Sequence, residues 1–173
     1  MRAILTTERL TVRHFSASDA DELHAVCGDR RTMRYVGDGM TLTPRRCAEW
    51  IDESLADYAT RGYGASALYV QGEALMAGYC GIVTARRRAD PEIIYALRPR
   101  FWGQGLASEL VPALLGFGFG HCGLKRLVAT IRPENRASLR VVEKAGMHCA
   151  GEELAGEGIL MLIYALEAGQ GGG

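Results

Sequence analysis

Glu92-Ile93-Ile94-Tyr95-Ala96-Leu97-Arg98-Pro99-Arg100-Phe101-Trp102-Gly103-Gln104-Gly105-Leu106-Ala107 is the stretch that decides the fold. Its first six residues are an apolar run of strand length. Arg98-Pro99 ends that run, because proline supplies no N–H to a ladder. The last residues open a helix in which Leu106, Leu110, Leu114 and Phe117 recur at helical spacing and form a core stripe. A strand that passes through a Gly-containing loop into a helix leaves first-turn N–H groups and a positive dipole end at the loop, a setting that suits a pyrophosphate. The same residues equally make a tight turn with no ligand. Two phosphate loops are excluded directly. There is no Gly-Lys-Ser/Thr, and Ser108 stands where a dinucleotide fingerprint needs its third Gly, with no ribose-binding acid at the right place after a strand.

Working outward, Leu10 to Phe15 reads as the first strand, and Ser18 as the cap of a short helix begun by Asp19-Ala20-Asp21. Thr43-Pro44 is a stronger start signal, and Cys47, Trp50, Ile51, Leu55 and Tyr58 keep helical spacing until Arg61-Gly62. Ala65–Val70 and Leu75–Thr84 make an antiparallel hairpin around Gln71-Gly72. Leu127–Ile131 is a strand, Asn135–Lys144 a helix closed by Gly146, and two last strands run over about 147–153 and 159–166. Pro112 lies inside the helix predicted over Gly103–Gly120, where it costs on the order of 3 kcal/mol or bends the axis. With Gly116, Gly118 and Gly120 it predicts a kink or a loose end. The order implies an α/β (α+β) protein, with a mixed, mostly antiparallel sheet of about seven strands and helices on both faces.

Length and charge narrow the function. The 173 residues suit one domain, assigned to 1–168 with 169–173 as a Gly-rich tail. Twenty Lys plus Arg balance twenty Asp plus Glu, so the global basic field of a nucleic-acid binder is missing. No apolar run approaches the ~20 residues of a membrane span, and Met1–Leu5 turns polar too early for a signal peptide. Five cysteines without CxxC spacing fit free thiols in a reducing cytoplasm. The four histidines show no spacing for a metal or a triad, so no metal is expected. Arg86-Arg87-Arg88 reads as a solvated hairpin tip.

Arg100, Gly103 and Gly105 match the pattern Gln/Arg-x-x-Gly-x-Gly/Ala, and here the sequence resembles the GCN5-related N-acetyltransferases. It is similar above all to the branch containing the ribosomal-protein N-terminal acetyltransferases. Thr7-Glu8-Arg9-Leu10, Arg13, Asp19, Glu92, Tyr95, Trp102-Gly103-x-Gly105, Asn135, Ser138, Glu143-Lys144 and Gly146 carry that resemblance in order. Ile94, Ala96 and Met147 depart from its pattern, and so bear on the walls of the cleft.

The resemblance implies an acetyltransferase fold and direct transfer of an acetyl group from acetyl-CoA to a primary amine. The acceptor is a protein N-terminus or a small molecule. The strand ending at Leu97 splays from Leu127–Ile131, and the pantetheine arm lies in the gap, bonded by backbone near Leu97 and Arg98. Amides of the loop from Arg100 through Trp102, Gly103, Gln104, Gly105 and Leu106 to Ala107 hold the pyrophosphate. Glu92 is the candidate base, with Asp90 as a weaker neighbour. Ser138 takes the thiolate-protonating or thiol-binding role, since Val142 stands where many relatives carry Tyr. Asn135 reads as a helix cap whose amide also reaches the pantetheine. Tyr35, Trp50, Tyr58 and Tyr63 lie in the region that shapes the acceptor side. Other readings are a non-catalytic acyl-CoA sensor, which needs neither Glu92 nor Ser138, and an Arg-rich nucleic-acid binder. A homodimer through the apolar ends of the C-terminal strands is left open.

Overall fold

Thr43 and Pro44 start the longest helix as their residue types dictate. Thr43 accepts a hydrogen bond from Arg46 N at 3.2 Å, Pro44 opens α3 (Pro44–Arg61), and Gly62 closes it in the left-handed region at φ 78°. Two shorter helices precede it, α1 (Ala20–Cys27) and α2 (Arg30–Met33). The cap of the first is not Ser18. Ser16 occupies the capping position of a 3₁₀ turn over Ala17–Asp19 that leads into α1, and its backbone N–H donates to Asp19 Oδ2 at 2.7 Å. The computed structural model describes residues 3–84, 89–156 and 158–169, so Arg86-Arg87-Arg88 and tail residues 170–173 lie outside the described residues.

Among the described residues the sheet has eight strands: β1 (Ala3–Thr6), β2 (Leu10–Arg13), β3 (Ala65–Val70), β4 (Gly78–Thr84), β5 (Pro91–Leu97), β6 (Arg126–Ile131), β7 (His148–Ala155) and β8 (Ile159–Glu167). The strand missing from the sequence reading is β1, a four-residue edge too short to show a period. β4 begins at Gly78 rather than at Leu75, whose side chain is exposed. Spatial order is β1-β2-β3-β4-β5-β6-β8-β7. All neighbours are antiparallel except β5 and β6, which run parallel and share a single pair, Glu92 with Val128. By contrast, β4 and β5 pair over seven positions, from Gly78–Leu97 to Thr84–Pro91. The sheet is therefore two antiparallel ladders that touch at one point and then part.

Strand alternation sends Ile93, Tyr95 and Leu97 to one face and Glu92, Ile94 and Ala96 to the other. The first face packs with α4 (Leu106–Gly116) and α5 (Arg136–Lys144) through buried Leu106, Leu110, Leu139 and Val142. The second is covered by α1, α2 and α3, where Leu23, Met33 and Ile51 meet Ala96. α4 runs through Pro112 without ending, and the loose end comes later: Phe117–His121 form a wide π turn in which Cys122 N donates to Phe117 O at 3.1 Å. Gly118 in that turn sits close against the sheet, since a Cβ there would stand 2.7 Å from Leu127 Cδ1 and 2.8 Å from Ile82 Cδ1 and those side-chain ends would have to shift. In the last hairpin, Leu154 and Leu160 face each other across β7 and β8, and both are exposed.

Candidate functional site

Where β5 and β6 part, a cleft of about 570 Å³ opens. Its walls are Arg31, Thr32, Arg34, Tyr35 and Val36 from α2 and the segment after it, Tyr95–Leu97 from β5, the loop into α4, and Asn135, Ala137, Ser138, Arg140, Val141 and Lys144 from α5. Four cations and no carboxylate line it among the described residues. α2 and α5 belong to opposite faces of the sheet, so the cleft passes from one face to the other.

The glycine loop is shaped by backbone conformation and braced from far away in sequence. Gly105 caps α4 in the left-handed region at φ 77°, and Gly103 shares that conformation at φ 72°. Gly105 places no side chain over the first-turn N–H groups of α4, and Leu106, Ala107 and Ser108 of that turn line the cleft. Glu109 then ties that turn to the N-terminal segment: Oε1 accepts from Thr7 Oγ1 (2.5 Å) and Arg9 N (2.8 Å), and Oε2 accepts from Arg9 Nε (2.7 Å). Arg9 Nη1 also donates to Gln104 O at 2.9 Å. Burial pushes the Glu109 carboxyl up, but the bonds from Thr7 and Arg9 prevail and hold it below the usual carboxylate range. The Thr7-Glu8-Arg9 motif is thus a clamp on the loop. Arg13 and Asp19 form a second fixed pair, bidentate at 2.7 and 2.9 Å, with Arg13 also donating to Tyr69 Oη at 2.6 Å.

Of the cofactor-side residues named from sequence, Leu97, Trp102, Gly103, Gly105, Leu106, Ala107 and Asn135 line the cleft, and Ser138 lines it with them. Arg98, Arg100 and Gln104 do not. Arg98 N donates to Ala77 O at 2.8 Å and its Nη2 to Glu22 O at 3.2 Å. Arg100 pairs with Glu73 and lies over the Phe101 ring, and Gln104 Nε2 donates to Arg100 O at 2.8 Å. Leu97 O already accepts from Trp102 Nε1 at 2.7 Å. The Arg98 amide expected to meet a pantetheine is therefore spent inside the protein, and the Leu97 carbonyl is partly so. Asn135 caps α5 by accepting from Ser138 N at 3.2 Å through Oδ1, which leaves its donor NH2 end for a ligand.

Glu92 lies outside the cleft lining, at the apex where the strands separate. Its Oε1 accepts from Thr130 N at 3.1 Å and from the Thr130 hydroxyl. Asp90, the weaker neighbour, stands 3.9 Å from Arg126 Nε. Among the aromatic residues expected on the acceptor side, only Tyr35 reaches the cleft. Trp50 packs edge-on against Tyr79, Tyr58 bonds Ser66 at 2.7 Å, and Tyr63 packs on the main core. Of the departures from the branch's pattern, Ala96 lines the cleft, whereas Met147 is buried in the core and Ile94 packs on the second face. Arg31, Thr32 and Arg34 were missed in sequence. Arg31 and Thr32 sit on a four-residue helix, closed by Arg34, that carries no periodic signal, although the Asp29 cap that accepts from Arg31 N at 2.8 Å was a usable one.

No helix among the described residues is long and apolar enough to cross a membrane, and no group of three or more His, Cys, Asp or Glu is placed to hold a metal ion. The sequence profile of the acetyltransferase (GNAT) domain matches residues 9–148. The uncharacterized N-acetyltransferase p20 of Bacillus licheniformis is 30% identical over 176 residues, covering 94% of each chain. The solved structure of a GNAT-family acetyltransferase from Bacillus anthracis superposes with TM-score 0.79 at 26% identity, covering 94% of this chain and 97% of that one. A ribosomal L7/L12 alpha-N-protein acetyltransferase, RimL, solved in complex with coenzyme A, shares the fold at TM-score 0.79 and 20% identity, covering 96% of this chain and 98% of that one.

Proposed function

The chain belongs to the GNAT acetyltransferase family, and from that premise we propose that it transfers an acetyl group from acetyl-CoA directly to a primary amine, of a protein N-terminus or a small molecule. The observation that carries this reading is the division of labour across the seam. The loop, α4 and α5, which suit a phosphorylated coenzyme, lie on one face, and Glu92 projects from β5 to the other. The coenzyme A held by RimL, on the same fold, supports the choice of donor.

The residues present fit such a donor. Amides at the start of α4 receive a pyrophosphate, Arg140 and Lys144 on α5 add positive charge, and the Asn135 amide offers a donor to the pantetheine. The bound donor supplies an activated acyl carbon, and what remains is alignment and proton handling. An amine entering from the α2 face meets Glu92, directly or through a water, as its base. Ser138, across the sheet, faces the departing thiolate. Placing base and thiolate partner on opposite faces keeps the two proton events apart along one line of attack.

A thermal-shift titration with acetyl-CoA, CoA, ATP and NAD, followed by a thiol-release assay over a panel of amines, tests the proposal. A ligand at ~100 times its dissociation constant stabilises the fold by about 2.7 kcal/mol, so both CoA forms should raise the melting temperature by several degrees. Stabilisation by neither CoA form would overturn it.

A further inference from the structure

Three buried side-chain polar atoms find no hydrogen-bond partner among the described residues: Thr32 Oγ1, Tyr95 Oη and Arg98 Nε. Two of them, Thr32 and Tyr95, belong to walls of the cleft. A buried hydroxyl left unsatisfied is costly and is kept where something else completes it. Tyr95 lies on the α5 face of β5, between Ile93 and Leu97, and its ring packs against the main core. The hydroxyl of Ser138 is its polar neighbour. Burial pushes the phenol pKa up and Ser138 pulls it only partly back, so Tyr95 stays a protonated donor through the neutral range.

We propose that Tyr95 Oη is a second catalytic hydroxyl, beside Ser138, that donates a hydrogen bond to the coenzyme sulfur as the C–S bond breaks. The inference rests on the acetyltransferase reading and adds a residue to it. In the step, the amine nitrogen bonds to the acyl carbon, the C–S electron pair passes to sulfur, and the nitrogen's proton leaves to Glu92 or water. The thiolate is held by the Ser138 and Tyr95 hydroxyls until water returns a proton to it, so that both hydroxyls end the cycle unchanged. Unlike a proton relay, this role suits a phenol whose acidity is weakened.

The test reads the ionisation of bound CoA, without any acceptor amine. Ultraviolet difference absorbance of the thiolate is followed from pH 6 to 10 for the wild type, Tyr95→Phe and Ser138→Ala, each checked for an unchanged melting temperature. The charged and titratable groups facing the cleft (Arg31, Arg34, Tyr35, Arg140 and Lys144) are common to all three proteins, so their field cancels in the comparison. The wild type should ionise the bound thiol about one pH unit below the ~8.5 of an ordinary thiol, and Tyr95→Phe should return at least half of that shift. With an acceptor in hand, the same variant should lower kcat roughly tenfold and leave the KM for the amine unchanged. Identical thiol titration in wild type and Tyr95→Phe overturns the role of Tyr95 while leaving the transferase reading intact. Failure of the wild type to bind CoA overturns both.

Discussion

Glu92 Oε1 accepts the backbone N–H of Thr130 at 3.1 Å, across the point where β5 and β6 separate. Just beyond the single parallel pair Glu92–Val128, a side chain takes over a hydrogen bond that a main-chain partner would otherwise make. One carboxylate therefore has two tasks, pinning the apex of the seam and, in our proposal, accepting the amine's proton. Glu92→Gln separates them, because the amide still offers an oxygen to Thr130 but is no longer a base. We expect kcat for amine acetylation to fall by about 10²–10⁴ with acetyl-CoA affinity within twofold. Unchanged kcat would reduce Glu92 to the structural task.

The clamp from Thr7 and Arg9 to Glu109 spans about a hundred residues and ends on the first turn of α4. Glu109→Gln weakens a charge-assisted network, and the partial exposure of Arg9 tempers its contribution to stability to about 1 kcal/mol. Its larger effect should fall on the loop. Calorimetric titration should show CoA binding several-fold weaker, and a loss confined to melting temperature would mean the clamp does not shape the loop.

Gly105 adopts φ 77° at the cap of α4, and Ala at that position carries a penalty of roughly 1–2 kcal/mol for a left-handed conformation. Added bulk meets only ordinary contact, with Arg9 Nη2 at 3.7 Å, so the effect is one of backbone. Gly105→Ala should lower the denaturation midpoint accordingly, and Gly105→Glu should in addition abolish stabilisation by CoA, because a carboxylate then competes for the helix amides.

Asp19 sets an acid limit on stability. Burial raises its pKa, but the bonds from Arg13 and Ser16 outweigh that and hold it below the ordinary carboxylate value. A depressed folded pKa contributes stability that is present above the unfolded value, about 3.9, and is lost as the pH falls through the folded one. Urea midpoints should therefore drop between pH 5 and pH 2.5. Asp19→Asn should be less stable than wild type at pH 7 and show a shallower drop, and parallel curves would refute the assignment.

What the sequence made legible was local. Thr43-Pro44 fixed the start of α3, and the strand–glycine–helix order of 92–107 placed the seam, because caps and turns act over a few residues. What it hid was long-range or brief. The four residues of β1 and of α2 are too few to show a period, and nothing near Thr7 reveals that its partner is Glu109. The pair Glu92 and Ser138 was nameable, but not that strand alternation would turn Glu92 to the face opposite the one on which α5 packs. Pro112 misled in the other direction, since the helix absorbs it and relaxes only at Phe117.

Every strand that precedes the glycine loop in the chain lies on one side of the seam, and every strand that follows lies on the other. A nick at the exposed turn around Gly123 would yield two pieces, each carrying a complete antiparallel ladder. Their reunion would draw on side-chain packing, one strand pair and whatever bridges the gap between them. A small molecule seated there would act as a rivet, and the protein, cut in two, would become a sensor whose reassembly reports on the occupant of its own cleft.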